Sequence, residues 1–406
     1  MKSTLTAALA VAAATALLLS PLAPASAEPV QPETPQETVE AQASVSNGRT
    51  NDTRAAESFQ AMQEYLLVAD GSGLYNEQYP VDAADRPYSY EWPFSQAHIA
   101  IADLANQPGR HGDQYDAALE VAAAAQEHYW DTETGKTGLP GYASYPVGEY
   151  GDGGDFFYDD NEWVGLLDVQ RYLTDKDPAA LERAKQIFDL VVSGWDTDTS
   201  HAAPGGVFWT QAPWSTDRNT VSTMPAAELG LRLYQITGES SYLDWSVRMY
   251  DWTNTYLQRP DGLYNDHLGL DGTIESTIWS YNQGVPIGVN VLLYQATDDE
   301  KYLDEAKRVA EAAYGYYIDE GRLDDQPAFF NSIYFKNLLL LQSVTHEKKY
   351  SEAMQDYGDL VWAENRDPAT GLFTFEGEST QLLDQAAMVQ IYAVLGWAPG
   401  HWRDLY

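Results

Sequence analysis

The chain has 406 residues, 61 of them acidic and 23 basic, which gives a formal net charge of −38. Such a charge excludes nucleic acid, anionic membrane surfaces and polyanionic glycans as main partners and favours a neutral ligand. There is no Cys, so disulfides, a thiol nucleophile and an acylated-cysteine anchor are excluded as well.

The first 27 residues read as a signal peptide. Lys2 is the positive start, the run from Leu5 to Leu19 is apolar, and Ala25-Ser26-Ala27 is a small-residue cleavage signal. The expectation is a secreted, extracellular protein cleaved after Ala27. The apolar run is too short to span a bilayer comfortably, and no later stretch approaches about 18 apolar residues, so no membrane insertion is expected. Residues 28–50 are rich in Pro, Gln, Glu, Thr, Ser and Ala without periodicity and predict a disordered mature N-terminus. Residues 51–406 carry no second linker and predict one domain, expected to be monomeric.

Along that domain, apolar residues recur at spacings of three and four, which predicts helix rather than strand. The expected helices are 53–69, 95–105, 114–129, one following Trp163, then 179–192, 222–237, 242–257, 277–296, 302–317, 329–344, 350–364 and 382–395. They alternate in kind. Several odd-numbered ones open alike, with DQYDAAL from Asp113, SYLDWSV from Ser241, KYLDEAK from Lys301 and KYSEAMQ from Lys349. Each follows a short turn, whereas long loops rich in Gly and aromatics follow the odd helices. The repeat unit is therefore a helical hairpin, and about six of them can close into a ring or lie open as a solenoid; apolar, small-residue-rich inner helices such as VPIGVNVLLYQA and DQAAMVQIYAVLG favour the closed, all-α (α/α)6 barrel. Any strands should be short pairs in the long loops, and binding groups belong on the long-loop face.

The stretch 156–163, FFYDDNEW, sets two adjacent aspartates, Asp159 and Asp160, among aromatics at a loop-to-helix junction. Carboxyl pairs supply acid, base or nucleophile for glycoside cleavage, and aromatic rings stack on sugar faces. An Asp at a helix start also caps free N–H groups, which is the structural alternative. The starts of the other even helices tilt the balance, because in a barrel they converge on one mouth. They bring EWPFSQAH with Trp92, FWTQ with Trp209, SYNQG with Tyr281, Asn282 and Gln283, and LLDQAA with Asp384 and Gln385, beside Tyr158 and Asn161 flanking the pair. Neighbouring helical carboxyls would lie roughly 5–7 Å apart, near the about 5–5.5 Å of retaining glycosidases. With 12 Trp and 28 Tyr, the chain is well supplied with stacking surfaces.

Other groups read as structural. His98, His111, His128 and His267 show no metal spacing, and Asp261, Asn265, Asp266 and Asp271 lack the EF-hand order and predict turn chemistry. GDGGD lacks the Lys-Ser/Thr of a phosphate loop, and there is no GxSxG. No metal or cofactor is expected.

YDDNEW, followed in order by GGVFW, SYNQG and LLDQAAMVQIYAVLG, resembles glycoside hydrolase family 76, the secreted α-1,6-mannanases and their relatives. The resemblance implies the same barrel and cofactor-free, retaining endo-cleavage of α-1,6-mannan, a neutral polysaccharide. It also implies Asp159 as nucleophile, Asp160 as acid/base, and Trp209, Asn282 and Gln283 along the groove. Two alternatives stay open, a cell-wall glycan transglycosylase of the same family and a catalytically silent mannan-binding protein. Enzymes of the same barrel acting on uronic acids are disfavoured by the negative charge.

Overall fold

The computed structural model describes residues 35–107, 112–132 and 137–405, with side chains from residue 48 onward. The expected signal peptide lies outside the described residues. So do residues 28–34 of the expected disordered terminus, whereas helix α1, Pro35–Tyr65, begins within that stretch.

Six helices are buried on almost every side: α2 (Glu91–Ala105), α4 (Tyr158–Asp175), α6 (Thr220–Thr237), α8 (Tyr281–Thr297), α10 (Ala328–Thr345) and α12 (Leu382–Gly396). A helix without a polar stripe needs neighbours all round. These six find them in each other, because α2 packs on α4, and so on through α6, α8, α10 and α12, which returns to α2. The ring is closed, as the helical-hairpin repeat predicts. The partners α3 (Asp116–Gln126), α5 (Pro178–Ser193), α7 (Ser240–Tyr256), α9 (Glu300–Tyr314) and α11 (Lys349–Glu364) are amphipathic. In α9, for example, Tyr302, Ala306, Val309 and Ala313 are buried at helical spacing. Helix α1 completes the outer layer, tied to α11 by the Arg54–Asp359 ion pair and to α12 where Gln385 Nε2 donates to the Ser58 carbonyl at 2.8 Å.

The short turns repeat one geometry. Four of the six inner helices, α4, α6, α8 and α10, end on a residue of left-handed conformation whose N–H bonds back four residues: Lys176 (φ 58°), Gly238 (73°), Asp298 (57°) and His346 (63°). Just before them, Thr174, Thr237, Thr297 and Thr345 each donate their hydroxyl to the carbonyl four residues earlier. These caps satisfy end carbonyls that would otherwise lack donors. Close approach of α8 and α10 depends on Gly284, where a Cβ would stand 2.6 Å from the Tyr334 Cα.

At the opposite face the long loops form short antiparallel pairs. β1 (Gln78–Tyr79) pairs with β7 (Thr380–Gln381), joining the first loop to the last. β2 (Trp130–Asp131) pairs with β3 (Gly141–Tyr142). β4 (Asp217–Asn219), β5 (His267–Gly269) and β6 (Ile274–Glu275) form a three-stranded sheet. Inner-helix amides pin the same loops. Asn161 Oδ1 accepts from the Tyr142 N–H at 2.7 Å, Gln283 Oε1 from Tyr264 at 2.7 Å, and Gln385 Oε1 from Phe373 at 3.0 Å.

Deep in the ring, Lys336 Nζ on α10 and Asp103 Oδ2 on α2 form an ion pair at 2.6 Å with both side chains at 0% exposure. Breaking such a pair strands a buried charge, so Lys336→Met should lower stability by about 3–5 kcal/mol. Pairing it with Asp103→Leu should cost less than Lys336→Met alone. Urea unfolding reads both, and a Lys336→Met protein as stable as the parent contradicts this account.

Candidate active site

Helix α4 starts without a capping side chain. Phe157 is extended, bridges Thr210, and hands the first helical N–H, that of Tyr158, to the Trp209 carbonyl at 2.9 Å. Gln211 N–H to the Phe156 carbonyl at 3.1 Å and the Thr210 hydroxyl to the same oxygen at 2.6 Å complete the join. The stretch Phe156–Tyr158 is thus laid against the loop carrying Trp209. Neither Asp159 nor Asp160 is the N-cap, and both line a cleft of about 830 Å³ on the long-loop face.

Aromatic side chains wall that cleft on two sides. Phe157 and Trp209 meet edge-on at 5.0 Å, and Trp214 lies 6.0 Å from each. Trp209 and Trp214 remain 37% and 54% exposed, large apolar faces turned to solvent. On the other side Tyr281 stacks on Phe330 at 3.9 Å with 4° between planes, with Trp92 and Trp279 packed against Phe330. Wide flat rings rimming a polar floor suit the apolar faces of sugars.

The floor is acidic. Trp209 Nε1 donates to Asp159 Oδ2 at 3.2 Å, and Asp159 Oδ1 is buried without a protein partner. Burial pushes the Asp159 carboxyl up to about 7, opposed by the Trp209 hydrogen bond and first-turn N–H groups, with Asp266 adding to the rise. Asp160 stands well above the usual carboxylate range through burial, then through the charges of Asp159 and Glu91. The pair titrates together. The Trp209 indole and the first-turn N–H groups favour the ionised form of Asp159, and the charge of Asp159 favours the protonated form of Asp160. One site thereby holds a carboxylate beside a carboxylic acid.

Asp266 and His267 also line the cleft, with His267 Nδ1 2.8 Å from Asp266 Oδ2 and Asn282 Nδ2 donating to Asp266 Oδ1 at 3.0 Å. The Asp266 contact holds the imidazole above its ordinary range. Both residues were expected to be structural, and their cleft position corrects that. The signal was their place next to a strand at the mouth, since β5 starts at His267. Asp261 and Asp271 do make turns, accepting from the Leu263 and Thr273 N–H groups. His98 is buried, His128 packs tilted against Tyr150 at 4.1 Å, and His111 lies outside the described residues.

Of the residues predicted to contact ligand, Trp92, Trp209 and Tyr281 line the cleft with the Asp pair. The others do not. Asn161, Gln283 and Gln385 are 0% exposed and spend their amides on loop backbone, because a buried amide requires partners. Tyr158 is buried against Gly194. Asn282 stands behind Asp266. Asp384 is 8% exposed, next to the lining residue Leu383, and burial lifts its carboxyl to about 7. Absent from the prediction were Glu91, Asp266, His267, Trp279 and Phe330.

A carboxylate paired with a carboxylic acid between aromatic walls is the site of a glycoside-cleaving class of protein. The chain belongs to glycosyl hydrolase family 76, whose signature matches residues 50–357. Similar curated proteins include the mannan endo-1,6-alpha-mannosidases DCW1 of Candida albicans, 28% identical over 159 residues, and of Saccharomyces cerevisiae, 26% over 154. Each alignment takes in 36% of this chain and 34% of the relative, so the chain matches about a third of their length. Among solved structures, a family 76 mannosidase from Bacteroides thetaiotaomicron superposes with a TM-score of 0.75 at 26% identity, covering 86% of this chain and 98% of that one. An inactive variant of an α-1,6-mannanase from Salegentibacter sp., with two consecutive aspartates changed to asparagine and α-1,6-mannotriose bound, superposes with a TM-score of 0.68 at 19% identity, covering 85% and 99%.

Trp209→Phe keeps an aromatic wall but removes the donor to Asp159. Losing a bond to the charged form raises the Asp159 pKa, so the acid limb of any activity that needs its carboxylate should move to higher pH. A pH–rate profile of the variant, compared with the parent, reads the shift. An unmoved limb contradicts the role given to the indole.

Proposed function

We propose that this protein is an exported, monomeric, retaining endo-α-1,6-mannosidase. The observation that carries the reading is the pair Asp159 and Asp160, consecutive in the first turn of α4, on the cleft floor and unequal in proton affinity. Asp159 attacks the anomeric carbon as its bond to the glycosidic oxygen breaks, and that oxygen takes the proton of Asp160. Asp160, now a carboxylate, takes a proton from water, whose oxygen displaces Asp159 and frees the sugar with its configuration retained. The helix N-terminus favours the negative charge that passes between the two carboxyls.

The substrate class rests on the aromatic walls, on the charge of −38, which repels anionic glycans, and on the mannan-acting relatives. Export rests on Lys2, the apolar run and Ala25-Ser26-Ala27. Asp159→Asn and Asp160→Asn should each lower the release of reducing ends from linear α-1,6-mannan by about 10²–10⁴-fold or more, with circular dichroism unchanged. Near-parental activity of Asp159→Asn contradicts its assignment as nucleophile.

A further inference from the structure

The three-stranded sheet at the mouth has two unlike faces. Residues 207–209 run beside β4, where the Asn219 N–H donates to the Val207 carbonyl at 3.2 Å and Phe208 bridges Arg218, which sets Trp209 opposite Asp217. On its other edge β4 sets Asn219 opposite His267 of β5. Paired residues of antiparallel strands point to one face and their chain neighbours to the other. Trp209, Asp217, Asn219 and His267 therefore share a face, and all four line the cleft. Phe208, Arg218 and Leu268 share the reverse face, and none of them lines it. There the Arg218 side chain, at 0% exposure, pairs with Asp196 and donates to the Ala202 and Gly269 carbonyls at 2.8 and 3.2 Å. A sheet clamped from behind holds its front side chains in place.

Two of the front residues keep polar groups unused. Asn219 is the N-cap of α6, where an Asn oxygen ordinarily accepts from the first turn, yet it makes no such bond. The residue is 6% exposed, and its Oδ1 is buried without a protein partner. A buried oxygen left unpaired is costly, and a ligand hydroxyl removes that cost. His267 commits Nδ1 to Asp266, which leaves Nε2 for another partner.

We propose that the front of this sheet is a sugar subsite, where a mannose unit stacks on Trp209 and its hydroxyls bond to Asp217, Asn219 and His267. This rests on the reading of the cleft as a mannan-cleaving site. A pyranose needs an apolar face covered and several hydroxyls paired, and a ring beside polar groups at strand spacing supplies both. Carboxylate and amide oxygens accept, so the ligand must donate, and an anion would be repelled by Asp217 and Asp266. Because Trp209 Nε1 also holds Asp159, the unit seated here adjoins the bond that is cut.

Calorimetric titration with α-1,6-mannotetraose, in an Asp160→Asn background chosen to slow turnover, tests the subsite. Asn219→Ala and His267→Ala should each weaken binding about tenfold. Asn219→Ala should unfold at a urea midpoint no lower than the parent's, since its oxygen has no protein partner to lose. Ile274→Ser, on the reverse face of β6 and 45% exposed, should bind as the parent does. Parent-like affinity in either truncated variant overturns the subsite and leaves the mannan reading standing. So does an Asn219→Ala protein that unfolds at lower urea, because its oxygen would then serve the fold. A background protein that binds no mannotetraose overturns the mannan reading and the subsite together.

Discussion

A helix that is apolar around its whole circumference can exist in water only if other helices cover every side, and six such helices satisfy that need here by closing on each other. Everything at the mouth follows from this closure. Once α12 packs back on α2, the chain must alternate direction, and all six inner helices begin at the same end. Each start brings first-turn N–H groups without helical partners, and these favour negative charge. The short turns at the far end hold the alternation with left-handed caps. The long loops are left free to carry function.

The closure also explains why the carboxyl groups are so perturbed. The floor of the cleft is the top of a packed core, so Asp159 is only 8% exposed and Glu91 and Glu162 not at all. Burial is the leading cause of the rise for each of them and for Asp160, and neighbouring carboxylates add to it, Asp159 for Glu91, Asp160 and Glu162, and Asp266 for Asp159. Lys336, a cation buried within the ring, is committed to Asp103. Asp159 is set apart by the donors it receives, first-turn N–H groups and the Trp209 indole, the latter delivered by a loop bridge that begins two residues before the pair.

Much of this was legible in the sequence. The spacing of apolar residues and the recurring hairpin openings define the barrel, and an aromatic-flanked Asp pair at a loop-to-helix junction locates the floor. Less legible was what a polar residue beside the pair would bind. Asn161, Gln283 and Gln385 have the chemistry of sugar ligands, yet they close backbone gaps in the loops after α3, α7 and α11, and only the fold reveals which need comes first. The reverse error touched Asp266 and His267. Their loop reads as turn chemistry, but pairing of β5 with β4 and β6 lays them along the cleft. Glu91 was hidden because an acid at a helix start is ordinary, and its burial is set by α4 and by the loop holding Ser144. First-helix boundaries differed for a local reason, since residues 35–50 lack the apolar periodicity on which the prediction rested.

The central claim is that Asp159 and Asp160 cleave an α-1,6-mannosidic bond by double displacement. The most direct measurement follows purified protein acting on linear α-1,6-mannan by proton NMR from the first minutes. Short oligosaccharides whose new reducing ends appear first as the α-anomer, turning to the equilibrium mixture later, are the predicted result. New ends that appear first as the β-anomer, or a polymer left intact, contradict it.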